Sequence, residues 1–378
     1  MKTKTYLFSG PGRTEISGNH TDHQHGCVLA GAVDLETTAE VTLNDTDTIR
    51  VYSDGYAPVE VDLRDLQPRW SERNTTAALV RGVAAAFAQR GAALQGLDAA
   101  VHSTVLPGSG LSSSAAFEVL FGTMLNDLFF DSKLTAIEIA QIGQYAENIY
   151  FGKPSGLMDQ MASSVGGMVF IDFENPEAPY VEKLNFDFAA AGHALCIIDS
   201  GADHADLTDE YTAVTRELKS VCAHFGKSVL RQIPEEEFMA ALPVLRQKVS
   251  HRGILRAMHV YNENRRVRQQ VQALKDGDFD RFLALVNESG RSSWMYLQNI
   301  TPTGAAEHQE VALALALCER FLQGRGACRV HGGGFAGTVQ AFVPLDMLAQ
   351  FKANMEAILG GGKCHVLTIR PVGGIRIK

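Results

Sequence analysis

Apolar positions along the chain fall into short runs and amphipathic stretches, broken at polar or glycine-bearing segments. Residues 6–8 and 28–33 have the length and composition of short strands. Residues 38–43 and 48–52 alternate around Asn44-Asp45-Thr46-Asp47, a pattern that predicts a hairpin. A helix is expected over 77–89, closed by Gly91, and a strand over 97–105. Helices follow over 115–130 and 135–151, then a short one opened by Gly156, and then a strand over 168–173. The small-residue stretch Ala189-Ala190-Ala191-Gly192 precedes a new buried strand over 194–199 and sets the expected boundary between domains 1–190 and 191–378. The second half carries amphipathic helices, most clearly 305–322, and strands over 328–331, 338–343 and 364–370. This mixed order implies an α+β fold of two lobes with mixed sheets.

Composition narrows the class. With 378 residues, 46% hydrophobic and 20% charged, the chain has the balance of a globular protein with a sizeable core. A net charge of -9 argues against binding along a nucleic-acid backbone, which wants a basic face. The six cysteines form no CxxC pair, so reduced thiols in a cytoplasmic protein are expected. The apolar part of the N-terminus is too short for a signal peptide, and no segment approaches the roughly 20 apolar residues of a membrane span.

Four polar or glycine-bearing segments carry the candidate chemistry. Pro107-Gly108-Ser109-Gly110-Leu111-Ser112-Ser113-Ser114 joins a predicted strand to a predicted helix. Orphan N–H groups and the positive end of the helix dipole make such a corner a phosphate cradle, although serines also cap ordinary helices. It matches neither GxxxxGK[ST] nor a dinucleotide fingerprint with its ribose-binding acid. Residues 11–26 pack Arg13, Asn19, His20, Asp22, His23 and His25 into a segment read as a loop between two strands. These groups suit a polar ligand; a solvated turn or a metal held by His20, His23 and His25 are the alternatives. In Gly152-Lys153-Pro154-Ser155-Gly156-Leu157-Met158-Asp159-Gln160, Asp159 falls in the first turn of the predicted helix, where it can act on a ligand or merely cap. His331-Gly332-Gly333-Gly334-Phe335-Ala336-Gly337 is either a close backbone approach to a ligand or loop, or a simple turn.

In this order the four segments resemble the motifs of the GHMP kinases (galacto-, homoserine, mevalonate and phosphomevalonate kinases) and, within them, the galactokinases. The resemblance spans nearly the whole chain. It implies a two-lobed kinase fold with the active site in the cleft, ATP as co-substrate, Mg²⁺, and a small sugar phosphorylated at its anomeric hydroxyl, most simply galactose. Asp159 is then the carboxylate facing the attacking hydroxyl, and Arg13 the cation between sugar and phosphate. Ser114 and Glu147 fall where the family holds Mg²⁺. Residues 107–114 form the ATP loop, and Asn19, His20, Asp22, Gly156 and Tyr211 the sugar pocket.

Two departures stand out. Asn19 and His23 occupy positions where the galactokinase signature usually has Glu and Tyr. The first faces the C6 end of the sugar in the family, so a galacturonate or N-acetylgalactosamine kinase is the alternative, a uronic acid being repelled less by Asn than by Glu. A non-catalytic sugar and nucleotide sensor on the same fold is the rival of another class. The adenine contacts are unassigned: Thr76 stands where the family often has an aromatic residue, and Trp70 has no matched role.

Overall fold

The computed structural model describes residues 4–105, 110–153, 155–202 and 207–378. Strands β1 (Thr5–Ser17), β2 (Cys27–Leu43), β3 (Thr48–Ser53), β4 (Val59–Asp62), β5 (Leu97–Ser103), β6 (Met168–Asp172) and β7 (Tyr180–Leu184) alternate with helices α1 (Thr76–Gln89), α2 (Ser113–Phe129), α3 (Ala136–Tyr145) and α4 (Met158–Val165). After them come β8 (His193–Asp199), α5 (Thr208–His224), α6 (Glu235–Lys248), α7 (His251–Lys275), α8 (Phe279–Ser292), α9 (Glu310–Leu322), β9 (Ala327–His331), β10 (Thr338–Pro344), α10 (Leu348–Leu359), β11 (Cys364–Leu367) and β12 (Ile375–Arg376). The fold is α+β, as expected, with one mixed sheet and a second that is antiparallel throughout.

The first sheet runs β12-β1-β2-β5-β3-β4, with β6 on β2 and β7 on β6; the second runs β11-β8-β10-β9. The expected hairpin does not form. Residues 38–43 belong to the long strand β2, and β5 lies between β2 and β3, antiparallel to the first and parallel to the second. The Asn44–Thr48 connection therefore bridges two non-adjacent strands, and Asn44 caps its bend by bonding Thr48 O and Asp98. Residues 375–376, near the far end of the sequence, pair with β1 of the first sheet.

A second correction bears on the site. The segment read as a loop over 11–17 continues β1 to Ser17, every residue of it buried. Polar side chains tolerate this because the second half of the chain satisfies them: Arg329 bonds Glu15, and Gln340 Nε2 donates to Thr14 Oγ1 at 2.9 Å. Elsewhere the predicted helices hold with shifted ends. The helix expected over 135–151 opens on a capping box between Thr135 and Glu138, then loosens into a π-turn over Ala146–Phe151 that carries Glu147. The helix expected from 305 begins at Glu310. None of the described helices is long and apolar enough to cross a membrane.

Candidate active site

Arg13 and Asp159, 146 residues apart in sequence, meet where β1 passes the start of α4. Arg13 Nε donates to Asp159 Oδ1 at 2.7 Å. Arg13 Nη1 bonds the carbonyl of Gly110, and its backbone N–H donates to Leu111 O at 3.0 Å, so strand, carboxylate and phosphate loop share one residue. Ser112, in left-handed backbone at φ 55, turns its hydroxyl onto Asp159 Oδ2. Burial would raise the Asp159 carboxyl, but the charge of Arg13 and the bonds from Arg13 and Ser112 outweigh it and bring its pKa down to about 2. Burial likewise opposes the Arg13 charge, and Asp159 with Glu15 and Asp22 more than offsets it, raising the guanidinium above its ordinary value. Asp159 still has 29% of its side chain exposed, so a face of the carboxylate remains open to a ligand.

Beside this pair lies an oxygen-rich corner. Glu147 is buried; its Oε1 accepts from Ser114 Oγ at 3.3 Å and Lys153 Nζ at 3.0 Å, and its Oε2 from Ser155 Oγ at 2.6 Å and Gln160 Nε2 at 2.9 Å. Behind Gln160 sits Glu118, whose carboxyl pKa is pushed well up by burial and by the nearby Glu147. Sequence reasoning quoted Lys153, Ser155 and Gln160 without giving them a task; their place within the Asp159 segment was the available signal.

The residues expected to form the sugar pocket meet Gly156 and the His331–Gly337 segment. Asp22 accepts from its neighbour's N–H, and a Cβ on Gly156 would stand 1.9 Å from Asp22 Oδ2, so only glycine lets the two segments meet. His20, at φ 59, bonds Gly333 O through Nε2 at 3.0 Å, and burial drives its pKa down to about 3. Tyr211, in the first turn of α5, donates to Gly334 O at 2.9 Å. Its ring lies where a Cβ on Gly333 would be 2.6 Å from Cε1, which explains the glycine at that position of the His331–Gly337 segment. Asn19 differs from expectation. It is fully buried, donates to Glu15 Oε1 and Gly332 O, and accepts from Ser293 Oγ and Asn299 Nδ2. The amide is spent on the protein rather than turned toward the cleft.

Among the described residues no group of three or more His, Cys, Asp or Glu side chains is placed to hold a metal, so His20, His23 and His25 form no such centre. In the phosphate loop, Pro107, Gly108 and Ser109 lie outside the described residues; Leu111 is core, Ser113 exposed, and Ser112 and Ser114 point to Asp159 and Glu147. Trp70 is 79% exposed, and the Arg73 guanidinium covers its ring 3.9 Å from the centroid.

Residues 1–43 match the galactokinase galactose-binding signature and residues 78–167 the GHMP kinases N-terminal domain. A galactokinase from Streptomyces coelicolor is 32% identical over 98% of this chain and 93% of its own length. The chain belongs to the galactokinase family of GHMP kinases. Two solved structures show the shared fold. Lactococcus lactis galactokinase complexed with galactose has a TM-score of 0.84 at 24% identity, covering 99% of this chain and 95% of that one. Methanococcus jannaschii mevalonate kinase has a TM-score of 0.68 at 13% identity, covering 98% and 99%. In this chain Arg13 and Ser112 converge on Asp159, and Ser114, Lys153, Ser155 and Gln160 converge on Glu147.

Proposed function

We propose that the chain transfers the γ-phosphoryl group of ATP to the anomeric hydroxyl of galactose, giving galactose 1-phosphate and ADP. The observation that carries this reading is the Arg13–Asp159 contact at the meeting of phosphate loop and sugar motif, in a chain of the galactokinase family. The sugar oxygen attacks phosphorus as the bond to the ADP leaving oxygen breaks, through a loose transition state in which little proton transfer is needed early. Asp159, ionised down to low pH, orients the hydroxyl and takes its proton late, as the forming O–P bond acidifies it. Arg13 balances Asp159 and the negative charge on the moving group. His20, Asp22, Gly156 and Tyr211 wall the sugar, while Asn19 supports that wall from beneath.

Ser114 and Glu147 would hold Mg²⁺: both offer oxygen, the donor a small hard cation prefers, and Ser114 Oγ lies 3.3 Å from Glu147 Oε1. When bound, the ion neutralises charge on the ATP phosphates.

Measuring ADP release with ATP and Mg²⁺ across galactose, galacturonate, N-acetylgalactosamine, mannose and fucose tests the substrate. Galactose is expected to lead in kcat/KM by about tenfold or more, the scale set by buried polar groups left unpaired by a wrong sugar. Better turnover of galacturonate would sink the galactose assignment, and sugar binding without ADP release would favour a sensor.

The pH profile is a second check. Asp159 at about 2 and His20 at about 3 both complete their titration below pH 5. The acid limb of kcat/KM for the sugar at saturating nucleotide is therefore expected below pH 5, with Asp159 activity lost only as pH falls through its lowered pKa. An acid limb centred between pH 6 and 7 that shifts in D159N would contradict this assignment.

A further inference from the structure

The imidazole of His331 ends β9 fully enclosed, and none of the chemistry above uses it. Its Nε2 faces two donors on β1: the backbone N–H of Glu15 at 3.2 Å and Thr14 Oγ1 at 3.1 Å, the latter itself accepting from Gln340. A backbone N–H can only donate, so Nε2 carries no proton and the ring hydrogen sits on Nδ1. Nδ1 then donates to Thr338 Oγ1 at 2.9 Å. The edge of the ring closes against the phosphate loop, because a Cβ on Gly110 would lie 3.1 Å from Nδ1 and 2.9 Å from Thr338 Oγ1. Gly110 in turn offers its carbonyl to Arg13, the residue just before Thr14. One ring thus abuts both the strand that carries Arg13 and the loop that Arg13 holds. Protonation would set an N–H against two donors, between the cations Arg13 and Arg329; burial and those charges hold the ring's pKa well below its ordinary value.

We infer that His331 is a positioning residue for phosphoryl transfer, its imidazole fixing the spacing between the Arg13 strand and the Gly110 end of the phosphate loop. The inference rests on the kinase reading above. A misplacement of the order of 1 Å at a reacting centre can cost about 100-fold in rate, which a core packing role for the same ring would not concentrate in kcat.

Two substitutions separate its two sides. In H331Q the amide oxygen reaches the Nε2 position and can still accept from Glu15 and Thr14; in H331N the amide reaches only the Nδ1 position and leaves both β1 donors unmatched. With whichever sugar of the panel the wild-type chain phosphorylates, kcat is expected to fall about 30-fold in H331N and about threefold in H331Q, with the sugar KM moving less than about threefold in either. Equal losses in the two variants, or a loss carried by the sugar KM, would overturn the inference, as would H331N at wild-type kcat. Failure of galactose alone overturns only the sugar assignment. A wild-type chain that phosphorylates no sugar overturns both.

Discussion

Replacing Asp159 with asparagine is expected to lower kcat by about 10³-fold while changing the Kd for ATP by less than about threefold. The substitution keeps an oxygen that can accept from Arg13 Nε or Ser112, so local geometry survives and the experiment isolates charge and basicity. What disappears is the anion that orients the sugar hydroxyl and receives its proton. Isothermal titration with ATP and a single-turnover assay read the two quantities separately. A kcat within tenfold of wild type would remove Asp159 from the transfer step.

Changing Arg13 to lysine should cost a comparable amount, about 10²- to 10³-fold in kcat, although the charge is retained. A single ammonium cannot match the fork that bonds Asp159 through Nε and the Gly110 carbonyl through Nη1. Arg13→Ala goes further. Burial then acts on the Asp159 carboxyl without its main opposing charge, so the pKa rises from about 2. The sign follows directly: with a folded-state value below the ordinary carboxylate value, ionised Asp159 adds stability above about pH 4 that is lost as pH falls toward 2. In Arg13→Ala that contribution shrinks, and the acid limb of activity moves to higher pH. Rate profiles and urea midpoints at pH 3 and pH 7 check both effects; an unmoved acid limb would disconnect the two residues.

The motifs were legible because each concentrates unusual residues in few positions, and glycines mark where backbones must touch. The requirement at Gly156 is Asp22, and that at Gly333 is the Tyr211 ring, both far away in sequence but both already in the candidate set. Helices α1 and α2 could be read because runs of helix-forming residues, and Gly91 after α1, are local signals. The hairpin failed because nothing in residues 38–52 announces that β5, about 50 residues later, will come between. Residues 11–17 misled for the same reason. Their polar side chains look solvated until Arg329, His331 and Gln340 arrive from the second half of the chain. Asn19 is the instructive case at the site: its chemistry was read correctly as a neutral amide, but not the four protein groups that consume it.

The strand at residues 375–376 pairs with Phe8 and Ser9 on the edge of β1 that β2 leaves free. During synthesis that stretch must wait, its N–H and C=O groups bare, until residues 375–376 have left the ribosome. The first sheet therefore gains its last strand only after the strands of the second are made, and a nascent chain stalled short of residue 375 leaves that stretch of β1 open to its neighbours on the polysome.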